Sequence, residues 1–375
     1  MAGIYIHIPF CRQKCYYCDF YKSLKISLLK EYINALTKEA CVRNNFFGNE
    51  LISTIYFGGG TPSVLRPEQL EDILGTIYKY YAVSGNTEIT LEANPDDLDI
   101  NYLVRLHNAG INRLSIGIQS LYDQHLEKMN RRHTAKQARD SVNIAKQAGF
   151  KNISVDLIYG FPGLTADQWK SNLREVLSMP VDHLSAYHMT YHQDTVFYKW
   201  LKKGIISELP ETDSVNQFRI LTDEAESAGF EQYEISNFAK NGIYSRHNTS
   251  YWTGEKYMGL GPSAHSYNGS QRSWNVSDLE KYIWSVNKNI QFFTEETLTV
   301  NNKYNEYILT NLRTKWGVSR VTLNKLFGEK KAAIFTESSE KYIDLKKMYK
   351  KNGIYFLTRE GIFTSDDIIA GLMII

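Results

Sequence analysis

The chain has 375 residues, 43% of them hydrophobic and 22% charged, with a formal net charge of +2. That length suits one large domain with a smaller companion, and the near-neutral balance removes the electrostatic case for nucleic acid or an anionic membrane as partner. No run is long and apolar enough to span a bilayer, no basic stretch followed by an apolar run marks a secretory signal, and four cysteines are too few for a disulfide scaffold, so a reducing, cytoplasmic setting is expected.

In chain order, short β-branched runs alternate with amphipathic ones. "GIYIHI" (3–8) predicts a strand and "LLKEYINALTKEACVRNNF" (28–46) a helix. "STIYF" (53–57) is followed by "PEQLEDILGTIYKYY" (67–81), a helix opened by Pro67. "TEITLE" (87–92) precedes a helix near 100–110 that stops at Gly110. "NRLSIGI" (112–118) leads to a helix over 134–149, and "NISVDLI" (152–158) to one over 165–178. "DHLSAYHM" (182–189) is the sixth strand. Strands spaced by helices imply a parallel sheet with right-handed crossovers. About six β/α units fit a partial (β/α)6 barrel of TIM type better than a doubly wound sheet. This region is assigned to residues 1–190.

Over 191–300 the pattern changes to an α+β extension. It holds a helix at 211–230, one strand in "EQYEISNF" (231–238), and an aromatic, glycine-rich stretch at 245–267. Over 301–375 it changes again. "KYNEYILTNLRTKWGVSRVTLNKLFG" (303–328) suggests two short helices and "GIYFLTREGIFTSD" (353–366) a two-stranded ribbon, the outline of a winged-helix-like domain. Winged helices often bind DNA, but "GEKKAAIFTESSEKYIDLKKMYKK" (328–351) mixes both signs and presents no dense basic face. No nucleic-acid partner is therefore expected, and the module reads as a domain that covers the barrel's open side or docks a partner.

Unusual residues collect at the carboxyl ends of the six strands: Cys11, Cys15 and Cys18 after the first, "GGGTP" (58–62) after the second, then Glu92, Gln119, Asp156 and His188. Those ends form the reactive face of a β/α barrel. Three thiolates at C-x3-C-x2-C can wrap a small metal site. A zinc knuckle would need a fourth ligand, His7 or a distant histidine. Three thiolates on a four-iron cluster would leave one iron open to a small molecule. Cys41, in mid-helix, reads as a core residue.

"CRQKCYYC" after the first strand, with "GGGTP" after the second, resembles the radical S-adenosylmethionine (SAM) family. Together with "YIHIPFC", "YFGGGTPS", "EANP", "SIGIQS", "NRRH" and "DLIYGFPG", it looks like the branch of the oxygen-independent coproporphyrinogen III oxidases and the HemW-type haem chaperones. The resemblance implies a [4Fe-4S] cluster on Cys11, Cys15 and Cys18, with SAM chelating the fourth iron through its amino and carboxylate groups. The aromatic Tyr17 fits the same family. Gly59, Gly60 and Thr61 would face the methionine end of SAM with backbone groups, since glycines admit close approach and free N–H groups can bind a carboxylate. Tyr5 would lie near the cluster-bound SAM. Glu92 would accept hydrogen bonds from a SAM amine or ribose, and Gln119, Arg131 and Asp156 would complete the polar shell. Ordinary loop polarity or a salt bridge is the alternative for each.

Two departures separate this chain from the oxidase pattern. Phe20 stands where the oxidase has a fourth cysteine, and only ten residues precede Cys11. "HNTSYW" (247–252) resembles the HNxxYW motif of the chaperone branch, in which the histidine is implicated in haem binding. His247 is thus the haem candidate, with a turn-capping histidine as the alternative, and His265 is a second candidate. A neutral imidazole ligates haem iron well. The implied function is haem chaperoning, with haem as cargo and haem-requiring, respiratory proteins as acceptors. Peripheral membrane association through the acceptor and a homodimer are compatible with it. Radical decarboxylation of porphyrinogen propionates is the alternative, and a DNA-binding sensor on the same barrel a third reading.

Overall fold

The computed structural model describes residues 2–374. The six β-branched runs become strands β1 Ala2–Ile8, β2 Ile52–Gly59, β3 Val83–Ala93, β4 Arg113–Gln119, β5 Asn152–Tyr159 and β6 His183–His188. Each pairs in parallel with the next. The crossovers carry α1 Leu29–Val42, α2 Pro67–Tyr80, α3 Ile100–Asn108, a short α4 Asp123–Lys128, α5 Ala135–Gln147 and α6 Ala166–Ser178. Local chemistry sets the helix starts. Pro67 takes the first turn of α2, where its missing N–H costs nothing. Thr134 and Thr165 close capping boxes with Gln137 and Gln168.

The strands obey a period of two. Ile4, Ile6 and Ile8 are fully buried on the outer, helix-covered face. Tyr5, Tyr56, Glu92, Ser115 and Asp156 turn into the barrel, where Tyr5 stacks on Tyr56, Tyr56 bonds Glu92 and Ser115 bonds Asp156. An inner lining of polar groups, against an outer lining of aliphatics, marks the interior as a place for chemistry.

The sheet does not stop at six strands. After α7 Val196–Lys202 and α8 Glu211–Ser227, an antiparallel hairpin of β7 Phe230–Gln232 and β8 Asn237–Lys240 pairs onto β6. "EQYEISNF" is therefore not one strand. Its middle turns because the Glu234 carboxylate accepts from Ser236 N (3.2 Å) and from the Asn237 amide. The chain then crosses to the other edge through α9 Arg246–Thr253, which packs on β1 and β2. There β9 Lys256–Leu260 adds a seventh parallel strand beside β1. β10 His265–Tyr267, β11 Gln271–Asn275 and β12 Phe293–Thr297 follow antiparallel, with α10 Leu279–Lys288 between the last two. The result is one twelve-stranded sheet, β12-β11-β10-β9-β1-β2-β3-β4-β5-β6-β8-β7.

Residues beyond 300 build a second core around Tyr304, Ile308, Leu323, Phe335 and Tyr355. Its elements are α11 Val300–Asn311, β13 Val318–Ser319, α12 Arg320–Phe327, α13 Glu329–Asp344, β14 Met348–Lys351, β15 Ile354–Leu357, α14 Arg359–Ile362 and α15 Ser365–Leu372. The strand order is β13-β15-β14. The ribbon lies earlier than the sequence suggests. β14 and β15 turn at Asn352 and Gly353, both at positive φ (54° and 76°), which a tight hairpin requires. The stretch "TREGIFTSD" is mainly helical instead. Among the described residues no helix is long and apolar enough to cross a membrane.

Candidate functional site: a cavity at the carboxyl ends of the strands

The loop after β1 is pinned at several points. Cys11 N donates to Ser23 O (3.1 Å), Ser23 N to Pro9 O (2.6 Å), and Tyr16 N to Met129 O (3.1 Å). The four cysteines are all free thiols. Each thiol of the triplet has a polar companion. Thr61 Oγ1 donates to Cys11 Sγ (3.4 Å), Arg131 Nη1 donates to Cys15 Sγ (3.3 Å), and Lys22, whose Nζ reaches the Cys18 carbonyl (2.6 Å), lies beside Cys18. Burial pushes the Cys11 and Cys18 thiols up, and Lys22 pulls Cys18 back. Hydroxyl and cationic donors around three thiols are what thiolates need, so this donor set fits a thiolate-bound cluster. A zinc knuckle through His7 does not fit. His7 Nε2 pairs with the Tyr21 carbonyl (2.9 Å) and Nδ1 with the Tyr5 hydroxyl (3.2 Å). No three His, Cys, Asp or Glu side chains among the described residues form a single-ion site. Cys41 is half-buried in α1.

The end of β2 lies tight against this loop. A Cβ at Gly60 would come within 2.9 Å of the Ile8 and Phe10 carbonyl oxygens, and one at Gly59 (φ 110°) within 2.6 Å of the His7 ring. Only glycine allows that approach. The expectation of free backbone N–H groups here is corrected, because all three are spent. Gly59 N donates to Glu92 Oε2 (3.2 Å), Gly60 N to Ile8 O (2.8 Å) and Thr61 N to Phe10 O (2.8 Å). None of these three N–H groups is left to bind a carboxylate.

Glu92, from β3, accepts from the Tyr56 hydroxyl (2.8 Å) and from Gly59 N. Burial raises its pKa to about 7, and the nearby Asp156 adds to the rise. Asp156, on β5, accepts from Ser115 Oγ (3.2 and 3.3 Å) and is also raised by burial. Arg131 spans the gap between loop and sheet. Beyond Cys15 it reaches Tyr17 Oη (3.5 Å), Gly117 O (2.7 Å) and Asn94 Oδ1, while its buried Nε has no hydrogen-bond partner among the described residues. Its neighbour Arg132 pairs with Asp96 and Asp97 and so anchors the "NRRH" turn to the "EANPDD" turn. Gln119 ends β4 with φ 59°, where the register with β5 shifts. A non-glycine residue in that region is held there by its surroundings.

These groups face one cavity of about 920 Å³. The expected residues that line it are Cys11, Cys15, Cys18, Tyr17, Gly59, Gly60, Thr61, Glu92, Gln119, Arg131 and Asp156. Tyr5 does not line it. Its ring lies deeper, stacked on Tyr56 (6.1 Å) and His247 (6.3 Å). His247 is also beneath the cavity, 1% exposed, with Nδ1 bonded to Thr54 Oγ1 (2.8 Å) and Nε2 to the Tyr251 hydroxyl (2.9 Å). Burial lowers its pKa to about 3. Both nitrogens are occupied, so His247 as placed props Tyr251 rather than offering a lone pair to a ligand. The rest of "HNTSYW" does reach the cavity, through Asn248, Tyr251 and Trp252. His265 lies outside it, its ring stacked on Trp274 (6.2 Å).

Sequence reasoning missed Tyr56, Asn94, Ser115, Ser185 and Tyr187, which also line the cavity, and Arg313, Ser365 and Asp366, which close it from beyond residue 300. Strand alternation, which leads from Glu92 to Asn94, is the one signal that could have pointed into the first group.

The profile of the radical SAM superfamily matches residues 5–176. A protein of Bacillus subtilis named heme chaperone HemW is 34% identical over 100% of this chain and 99% of its own. One of the same name from Lactococcus lactis is 33% identical, covering 97% of this chain and 95% of its own. Among solved structures, coproporphyrinogen III oxidase (HemN) from Escherichia coli superposes with a TM-score of 0.86 at 21% identity, over 99% of this chain and 90% of that one, which shows a shared fold. The chain belongs to the radical SAM superfamily and, within it, to the HemW family.

Proposed function

We propose that this chain is a haem chaperone that holds a [4Fe-4S] cluster and SAM, carries haem, and passes it to haem-requiring proteins, respiratory ones among them. One observation carries the reading: a single cavity joins the thiol loop, the Glu92–Asp156 wall and the cavity-facing side of "HNTSYW". The names of the relatives support it. So does Phe20, 66% exposed where the oxidase pattern has a cysteine.

A cluster on three thiolates supplies an iron open to an outside ligand. Arg131 and Lys22 offset the charge of the thiolates. The carboxylate of Glu92 takes an ammonium group, and Asp156 and Gln119 take hydroxyls. The free thiols support a reducing, cytoplasmic setting. His247 acts through Tyr251, so Asn248, Tyr251 and Trp252 carry the motif's share of the cargo site.

The test is paired. Anaerobically reconstituted chain receives haem in one sample, and coproporphyrinogen III with SAM and a reductant in another. Stoichiometric haem uptake, transfer to an apo haem protein and no porphyrin product are expected. Conversion to protoporphyrinogen would overturn the reading in favour of the oxidase.

A further inference from the structure

The cavity extends beyond the thiol loop and the glycine segment. There it is lined by Tyr187, His188 and Met189 at the end of β6 and by Tyr251 and Trp252 of α9. Two histidines line it, and they differ. His192 Nε2 is shared between Thr190 Oγ1 (2.9 Å) and Asp19 Oδ2 (3.3 Å). His188 makes no side-chain hydrogen bond among the described residues and one backbone contact, to Met189. Burial of the ring lowers its pKa, which favours the neutral imidazole that can ligate a metal.

The ring of His188 has a seat made for it. It stands edge-on to Tyr159, centroids 5.1 Å apart at 82°. Gly160, at φ 74°, leaves the space, since a Cβ there would fall 2.3 Å from His188 Nε2. The Gly160 peptide is fixed in turn. Its N–H donates to Oε1 of buried Gln217 (2.9 Å), whose Nε2 holds the Leu164 carbonyl (2.9 Å). The "YGFPG" turn therefore has a local purpose: it seats an imidazole on the cavity. A ring oriented by packing and one backbone contact keeps its other nitrogen for a metal.

From this geometry we propose that His188, not His247, is the side chain that coordinates the iron of haem in the cavity, with Gly160 and Tyr159 orienting its ring. The assignment rests on the haem reading above. Haem is titrated into the full reconstituted chain and followed by absorption and electron paramagnetic resonance. The wild type and His192→Ala are expected to give the same histidine-ligated spectrum. In His188→Ala that spectrum is lost and affinity falls by about tenfold or more, and added imidazole restores the spectrum. Gly160→Ala keeps the imidazole but removes its seat, and weakens binding in the same direction. Cluster absorbance reports that each variant is folded. A His188→Ala spectrum identical to wild type overturns this assignment alone. A wild type that takes up no haem overturns the haem reading itself.

Discussion

Glu92 is a half-buried, cavity-lining carboxyl that accepts two hydrogen bonds and makes no ion pair among the described residues. Its pKa rises from 4.5 to about 7, chiefly through burial. The folded chain therefore keeps a proton that the unfolded chain releases above pH 4.5. Stability falls as pH rises across that window and levels off above about 7, and the loss from this one group is roughly 3 kcal/mol. Glu92→Gln should be more stable than the cluster-free wild type at pH 8, with the two converging near pH 4.5. Thermal unfolding of both proteins across pH 4.5–8 checks this, and parallel curves would contradict it. A bound ammonium beside Glu92 would reverse the effect, so SAM should bind the cluster-loaded variant more weakly. The residue scale is also where sequence reading is least secure. Glu92 and Asp156 were legible because a charged group at a strand end is unusual, and Arg131 only through the resemblance carried by "NRRH". The burial of Tyr5 and His247 was not, because "HNTSYW" is polar text and only its packing on Gly3 and Thr54 turns His247 inward.

At the scale of elements, Glu39 joins α1 to the late edge of the sheet. In sequence it looks like any surface carboxylate on a helix. It is fully buried and accepts from Arg43 Nη1 (3.1 Å), Asn275 Nδ2 (2.8 Å), Gly261 N (2.8 Å) and the Tyr282 hydroxyl (2.6 Å). Removing it leaves the Tyr282 hydroxyl and Gly261 N–H buried without their acceptor and takes the carboxylate from Arg43, which keeps only Gly259 O and Ser266 Oγ. Glu39→Ala should cost roughly 3–5 kcal/mol in denaturant unfolding, with β9–β12 losing hydrogen-exchange protection first. A cost below about 1 kcal/mol, the range of a surface pair, would contradict this role. The six central strands were legible because each is a β-branched run followed by a helical pattern. β9 was not, since "KYMGL" is short and sits in a stretch rich in glycine and aromatics. α13 was hidden because its sequence mixes charges of both signs with few apolar positions.

At the scale of the molecule, the cavity belongs to both cores. Tyr233, Tyr244 and Trp316 pack together, and Lys315 N donates to Tyr233 O (3.0 Å). Phe363 meets Phe218 (5.3 Å). This docking carries Arg313 and Asp366, paired at 2.5 Å, to the rim. Sequence reasoning could gather the strand ends into one reactive face because β/α topology forces them together. It could expect the last module to cover the open side of the barrel, but not which residues beyond 300 complete the face, since docking depends on contacts far apart in the chain. The central claim is that three thiols on this face hold a cluster with one iron left for an outside ligand. Its most direct test is iron and acid-labile sulfide per chain after anaerobic reconstitution, in wild type and in Cys11→Ala, Cys15→Ala and Cys18→Ala, with the reduced cluster's paramagnetic spectrum recorded before and after SAM. About four iron and four sulfide in the wild type, their loss in every variant, and a spectrum that shifts on adding SAM are predicted. Full iron and sulfide in any of the three variants, or a spectrum indifferent to SAM, would contradict the claim.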